Sequence, residues 1–597
     1  MTNRWNFRGS AAHVLLIALL VPLIAACGGA SGGQPTTGPA GAPTTAPATG
    51  EAEQPGTGGE GQQGQLPGTG TASEAELAPP EQQIFRAYLT SEPESIDPAL
   101  SQSTSEEVVL KQLFTGLTRI NPDLEPEPAI AESWEFNEDN TQITFTLRET
   151  TWSDGQPLTA RDFEYAWKRY LDPRTASPYA SLASDVIQGG AELVGAETSD
   201  DAQLDELREA LGVRAVDDRT LQVDLAIPAP FFPSLVALGT MAPVRQDIIE
   251  ANGDRWTEVG TLVGNGPFVL QDYTPGSSMT FAPNPNYFEG PPTLQQLTIN
   301  FITDDATAFA NYQADELDVT AVPPAEVPGI QRNPDLSSQI ALNNQLATYY
   351  FSFNVTQPPF DNVQVRQAFA HAIDRQTLVD QVLSGIPQPA WSFIPPGVPG
   401  HITREKAGEA AQTFDPERAR QLLAEAGYPN GENFPPVSLA FNNNGSHALI
   451  AERVQADLQE NLGIQVELDP REATTYFSEV QDNPPPFFRA GWNADYADPY
   501  NFDRLVFGPG SSQNYGMWEN LEFTRLLDEA DTAATPEERI AAYQEAEKVL
   551  AQDAGSVFVY WYRTFRLVKP WVRGMYYTAQ DPEPGAFSYK DIQILNH

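Results

Sequence analysis

Residues 131–173 read AESWEFNEDNTQITFTLRETTWSDGQPLTARDFEYAWKRYLDP. Within this stretch Ile143, Phe145 and Leu147 alternate with polar residues, as a strand with one buried face does. Thr159 followed by Asp162 resembles a capping box with Asp in place of the usual Glu or Gln. It opens a helix carrying Phe163 and Trp167 on one face. Farther along, Val365, Ala368, Phe369, Ala372 and Ile373 recur at amphipathic-helix spacing. Asp415-Pro416 opens another helix and Gly427 closes it. His447 to Leu462 reads as a helix, followed by a strand over Ile464 to Leu468. Helices alternating with short apolar strands argue for α/β lobes rather than a sandwich or a bundle. There is no short-period repeat.

The chain has 597 residues, enough for two to four domains, and 41% of them are apolar. With 34 Lys+Arg against 80 Asp+Glu the formal charge is −46. Such a surface repels nucleic acid and anionic lipid, and no basic patch offsets it. Its plainest role is solubility. Cys27 is the sole cysteine, so no intrachain disulfide or thiolate metal site is expected in the folded part. His13 lies in the leader; His371, His401, His447 and His597 stand apart from one another, and HExxH is absent. No metal and no cofactor are expected.

The N-terminus sets an expected location. Arg4 and Arg8 precede an uncharged, largely apolar run from Val14 to Ala26. That run is shorter than the roughly 20 residues of a membrane span. It ends in Ile24-Ala25-Ala26-Cys27-Gly28, which resembles the lipobox of bacterial lipoproteins. Residues 1–26 are therefore expected to be an export signal, with Cys27 the lipid attachment point. Residues 28–80 are almost all Gly, Pro, Ala, Thr, Ser, Gln and Glu, with no aromatic, Lys or Arg. Such composition cannot offset its ordering entropy. A disordered tether over 27–81 is expected, with an end-to-end distance of roughly 40 Å.

The 131–173 segment also resembles the signature of the family-5 extracellular solute-binding proteins of ABC importers, through AESW, TFTLR and WSDGQPLTARDF. Further matches are Ser95-Ile96-Asp97-Pro98, Leu113 to Leu117, Asn265-Gly266-Pro267-Phe268 and Asn284-Pro285-Asn286-Tyr287. Later ones are Tyr349 to Asn354, Val365 to Ala368 with Ile373-Asp374-Arg375, and Leu567 to Trp571. They span 82–597. Within the family, Ser177-Pro178-Tyr179-Ala180-Ser181 and Arg489 to Tyr496 resemble the oligopeptide-binding proteins. The resemblance implies an α/β, type II periplasmic-binding fold, with two lobes around a ligand cleft and an extra inserted domain. Domain I would comprise 82–120, 262–340 and 555–597, domain II 121–261, and domain III 341–554. Closure would hinge at crossings near residues 341 and 554. The implied partners are a short peptide and a membrane permease with its ATPase. The receptor is expected to be a monomer on the outer face of the cell membrane, periplasmic if the cell has an outer membrane.

A receptor blind to peptide sequence binds what all peptides share: an ammonium, a carboxylate, and a row of N–H and C=O groups. If 489–495 is extended, Arg489, Gly491, Asn493 and Asp495 share one face, and Gly491 admits another backbone. Trp492 and Tyr496 fall on the other face, toward the core. By the resemblance Asp495 binds the peptide ammonium and Arg489 the carboxylate of a short peptide. Residue chemistry alone equally allows an internal Arg489–Asp495 ion pair. His447 matches a histidine serving a slightly longer peptide's carboxylate, and Tyr179 matches a pocket tyrosine; each also reads as an ordinary structural residue. Gln102 and Val480 depart from the family, standing where relatives carry an acid and its partner base. Pro484-Pro485-Pro486 precedes Arg489.

One alternative lies in the same class, a receptor for another ligand, and one in a different class, a secreted hydrolase. The same fold hosts receptors for nickel chelates, haem, opines, oligosaccharides or signalling peptides. A secreted hydrolase needs a nucleophile elbow or a triad. The one formal GxSxG, Gly29 to Gly33, falls in the tether, and the histidines are isolated. The chain is therefore expected not to be an enzyme.

Overall fold

The computed structural model describes residues 67–597 except Thr71, Glu74, Ala75, Asn444, Gly445, Ala534, Pro582 and Pro584. Cys27, the export segment and most of the expected tether lie outside the described residues. The tether boundary at residue 81 falls too late. Leu77 bridges Leu595, Ala78 is buried, and Gly574 and Met575 give their N–H groups to the carbonyls of Gly70 and Gly68. This segment has few side chains to bury, but backbone pairing to the C-terminal segment needs none.

Along the chain, β1 (Ile84–Leu89) leads to helix α1 (Thr104–Leu113), whose Ser103–Glu106 capping box is complete. Strands β2 (Ala131–Phe136) and β3 (Gln142–Leu147) precede α2 (Ala160–Tyr170), and β4 (Val213–Ala215) and β5 (Thr220–Asp224) follow it. Next come β6 (Phe268–Thr274), β7 (Ser278–Pro283), β8 (Gln296–Phe301), β9 (Val319–Ala321) and the long β10 (Ile340–Phe353). Helices α3 (Val363–Ala372) and α4 (Pro416–Glu425) lead to β11 (Val437–Asn442), α5 (His447–Leu462) and β12 (Val466–Arg471). The last elements considered are α6 (Ala473–Asp482), β13 (Phe487–Asn493), α7 (Asp503–Phe507), α8 (Pro536–Gln552) and β14 (Ser556–Val568).

Three larger sheets result. The first runs β1-β8-β7-β6, the second β2-β3-β5-β4, and the third β9-β14-β10-β13-β11-β12, with Gln388–Pro389 pairing β14 off that path. The sequence signals mostly act as expected. Ile143, Phe145 and Leu147 are fully buried, and Asp162 accepts the Thr159 N–H at 2.7 Å to start α2. Phe163 and Trp167 meet edge-to-face, and the Trp167 indole donates to the Met241 carbonyl at 2.8 Å. The five apolar residues of the 365–373 pattern are all buried. Asp415 caps α4 by accepting the Arg418 N–H, and Gly427 takes a φ of +99° beyond its end. The strand expected over Ile464 to Leu468 starts two residues later, because Gly463 and Ile464 finish the C-cap of α5.

Strands β10 and β14 carry the chain through the whole third sheet. Their ladder shifts register twice, once between the Tyr349–Tyr560 and Tyr350–Phe558 pairs and, more widely, where Asn344 faces Arg563 and the next pair is Thr348 with Trp561. Three residues on β10 thus oppose one on β14, a bulge that bends both strands. On one side of it β14 continues to β9; on the other, β10 continues to β13.

Candidate functional site

Strand β13 pairs with β10 along its whole length, Phe487 with Phe353 through Asn493 with Ala347. Its other edge meets β11 only at Phe487 and Phe488. From Gly491 onward that edge has no strand partner among the described residues. Two hydrogen bonds fix which residues face it. The Ala494 N–H goes to Leu346 on β10, whereas the Arg489 carbonyl accepts the Tyr476 hydroxyl of α6 on the other side. With a period of two, Gly491 and Asn493 join Arg489 in turning their N–H and C=O groups outward. The expected common face ends with the strand at Asn493, and Asp495 lies in the bend beyond it. Trp492 and Tyr496 pack inward: Trp492 against the cluster containing Tyr350 and Phe393, and Tyr496 flat on Phe231 at 5.1 Å.

A cavity of about 240 Å³ opens beside the strand's end, lined by Asn493, Asp495, Tyr179 and Gln102 among others. The Asp495 carboxylate accepts the Tyr179 hydroxyl at 2.8 Å and the Asn501 amide at 3.0 Å. Asn501, fully buried, also accepts the Asp495 N–H and the Trp492 indole, so one amide fixes both the acid and the ring. Gln580, from the C-terminal segment, donates to the Asp495 carbonyl at 2.6 Å. Burial pushes the Asp495 carboxyl up. The hydrogen bonds from Asn501 and Tyr179 pull it back, and Glu107 adds a like charge. Burial and the Asp495 charge raise the Tyr179 phenol, which therefore stays a donor. No Lys, Arg or His among the described residues forms an ion pair with Asp495.

Arg489 has a separate surrounding, so the internal Arg489–Asp495 ion pair does not form. Its guanidinium lies 4.9 Å over the Tyr349 ring and donates to the Tyr562 hydroxyl at 3.0 Å, while its buried Nε has no partner. No carboxylate among the described residues pairs with it. A Cβ on Gly491 would sit 3.0 Å from the Arg489 Nη2. The bare face of Gly491 thus accommodates the arginine, a closer demand than an approaching backbone. His447, 5.5 Å from Tyr349 between ring centres, belongs to this cluster. Burial, then Arg489, lowers its imidazole to about 3, so the ring is neutral at physiological pH and its Nδ1 has no partner.

The structure therefore divides the expected site residues into two groups, Asp495, Asn493 and Tyr179 at one end of the open edge, and Arg489, Gly491 and His447 at the other. Sequence reasoning missed Asn501, Gln580, Tyr349 and Tyr562. The tyrosines stand in apolar strand runs and look like core. Asn501 carries only the turn signal of Asp498-Pro499 before it.

The family model for bacterial extracellular solute-binding proteins, family 5, matches residues 125–514. The probable deoxycholate-binding periplasmic protein YgiS of Escherichia coli is 34% identical over 534 residues, 87% of this chain and 95% of that one. The periplasmic oligopeptide-binding protein OppA of the same organism is 33% identical over 518 residues, 85% and 92% of the two chains. The solved structure of Haemophilus influenzae OppA in complex with RPPGFSPFR superposes with a TM-score of 0.70 at 31% identity, covering 87% of this chain and all of that one. The chain belongs to the bacterial extracellular solute-binding proteins, family 5, and has their two-lobed type II periplasmic-binding fold.

Proposed function

We propose that the chain is the substrate-binding component of an ABC-type importer and that it captures short peptides along β13, performing no chemistry on them. The observation that carries this is an open strand edge with an uncompensated carboxylate at one end and an uncompensated guanidinium at the other. A free peptide answers all three features. Its backbone adds as a strand to Gly491 and Asn493, its ammonium meets Asp495 and Tyr179, and its carboxylate meets Arg489 beside His447. A ligand with a carboxylate and no cation, as deoxycholate is for YgiS, leaves Asp495 buried and unanswered, so the peptide is favoured.

The span follows from the folded-back arginine. Its guanidinium lies over Gly491, four residues from Asp495, and because the strand ends at Asn493 the span is at most about 13 Å. An extended tripeptide covers about 10 Å and a tetrapeptide about 13 Å. Titration with an alanine series of two to ten residues is expected to show tightest binding at three to four. Equal affinity across the series, or preference for the longest, would contradict the assignment.

Domain II is 121–261, which holds the second sheet; domain III is 341–554, and domain I the three remaining segments from residue 82. The β10–β14 bulge is where the lobes flex. Cys27 anchors a monomeric receptor by lipid on the outer face of the membrane, where it delivers peptide to a permease; Cys27→Ser is expected to release it into the soluble fraction. No helix among the described residues is long and apolar enough to cross a membrane.

A further inference from the structure

The cavity at the Asp495 end holds a second carboxylate. Glu107, in the first half of α1, lines it together with Asp495. Both Glu107 oxygens accept the Gly239 N–H, at 3.1 and 2.9 Å, and Lys111 one turn on lies 3.3 Å from Oε1. Lys111 is shared: it also donates to the Ala237 carbonyl, lies over the Phe587 ring at 5.0 Å, and is not among the residues lining the cavity. The walls thus carry two carboxylates and no Lys, Arg or His. The positive end of α1 does not balance them, because Glu106 already accepts the N–H groups of Gln102 and Ser103.

Two of the lining residues also carry polar atoms without hydrogen-bond partners. Thr240 lines the cavity, is only 7% exposed, and its buried hydroxyl has no hydrogen-bond partner. The Gln580 Oε1, on another wall, is an acceptor in the same condition. Buried polar atoms normally find partners. A cavity of about 240 Å³ has room for roughly eight water-sized groups. The ammonium at Asp495 needs about one of these. The rest is space for the first side chain of a bound peptide, and its walls offer acceptors.

Resting on the peptide reading of β13, we propose that Glu107, with Thr240 and Gln580, forms a subsite for a positively charged first side chain, so that the preferred ligands are peptides beginning with lysine or arginine. The ammonium and the side-chain cation together answer both carboxylates, which otherwise repel each other across the cavity. A neutral first residue answers only Asp495.

The test is titration of the protein with three tripeptides differing only in the first residue: Lys-Ala-Ala, norleucine-Ala-Ala and Glu-Ala-Ala. Norleucine keeps the length of the lysine stem and removes the charge. The lysine peptide is expected to bind about tenfold or more tighter than the norleucine peptide, and the glutamate peptide weakest. In Glu107→Gln the lysine-to-norleucine ratio should fall to near one. Equal affinity of native protein for the two peptides overturns the proposal without any variant, as does a ratio that survives Glu107→Gln. Absence of binding by all three overturns the peptide reading beneath it.

Discussion

Asp503 and Glu547 form a buried pair of acids in the third-sheet lobe. Both are fully buried, Asp503 opening α7 and Glu547 on α8. One Glu547 oxygen accepts the N–H groups of Phe393 and Ile394, each at 3.0 Å. As two carboxylates, the other Glu547 oxygen and both Asp503 oxygens have no donor. One proton between the two acids supplies it. Burial pushes Glu547 up to about 7 against the hydrogen bonds it makes, and burial with the Glu547 charge beside it pushes Asp503 well above the carboxylate range. In the unfolded chain both ionise near pH 4. The native state therefore holds at least one proton that the unfolded state has released, and stability falls as pH rises through this window. One retained proton costs about 1.4 kcal/mol per pH unit, or about 3 kcal/mol from pH 5 to 7. In Asp503→Asn the amide donates to Glu547 and no shared proton is required. Asp581, raised by burial to about 7, adds a parallel slope that this substitution leaves untouched, so the difference between proteins is the informative quantity. Urea unfolding at pH 5 and 7, followed by tryptophan fluorescence, should show the native protein losing about 3 kcal/mol more than the variant. Identical pH slopes would refute the shared proton.

Gly491→Ala places a methyl 3.0 Å from the movable end of Arg489. Thermal stability should change by less than about 1 kcal/mol, while peptide affinity, read by titration, falls as the guanidinium is displaced. Asn501→Ala strips partners from the Trp492 indole and from both the carboxylate and the N–H of Asp495. It should cost about 2–3 kcal/mol in denaturant unfolding and weaken binding of free peptides. Phe231 stacks on both Tyr496 and Tyr500, at 5.1 and 4.9 Å, and so joins the inserted second-sheet region to the β13 region. Phe231→Ala should lower affinity by about tenfold by loosening the support of Tyr496 next to Asp495; unchanged affinity would show that this stack takes no part in holding the site.

Much of the fold was legible because its signals are local. The strand at Ile143, the cap at Thr159 and the amphipathic face from Val365 each lie within a dozen residues and survive unchanged in the structure. The candidate site was legible in part: period-two spacing placed Arg489, Gly491 and Asn493 on one strand, whereas Asp495, expected on the same face, lies in the bend beyond it and was singled out by the family resemblance. Its details were not, because they depend on contacts between distant segments. Asn501 acquires its role from Trp492 and Asp495 in the fold, Gln580 reaches Asp495 from the far end of the chain, and Glu107 looks like a solvated helix residue until the cavity forms beside it. Asp503 likewise resembles an ordinary helix-start acid; only the packing of α8 buries it. Residues 67–81 have a tether's composition, and composition is silent on backbone pairing to a C-terminal partner.

In the proposed function an ammonium and a carboxylate are bound at the two ends of the open edge of β13. Its most direct test is calorimetric titration of the protein, refolded to strip carried ligand, with a pool of free tri- to pentapeptides and with the same pool N-acetylated. The free pool is expected to bind, and binding to be lost on acetylation and lost again in Asp495→Ala. Equal binding of both pools would contradict the ammonium site at Asp495, and binding of neither would contradict the peptide receptor altogether.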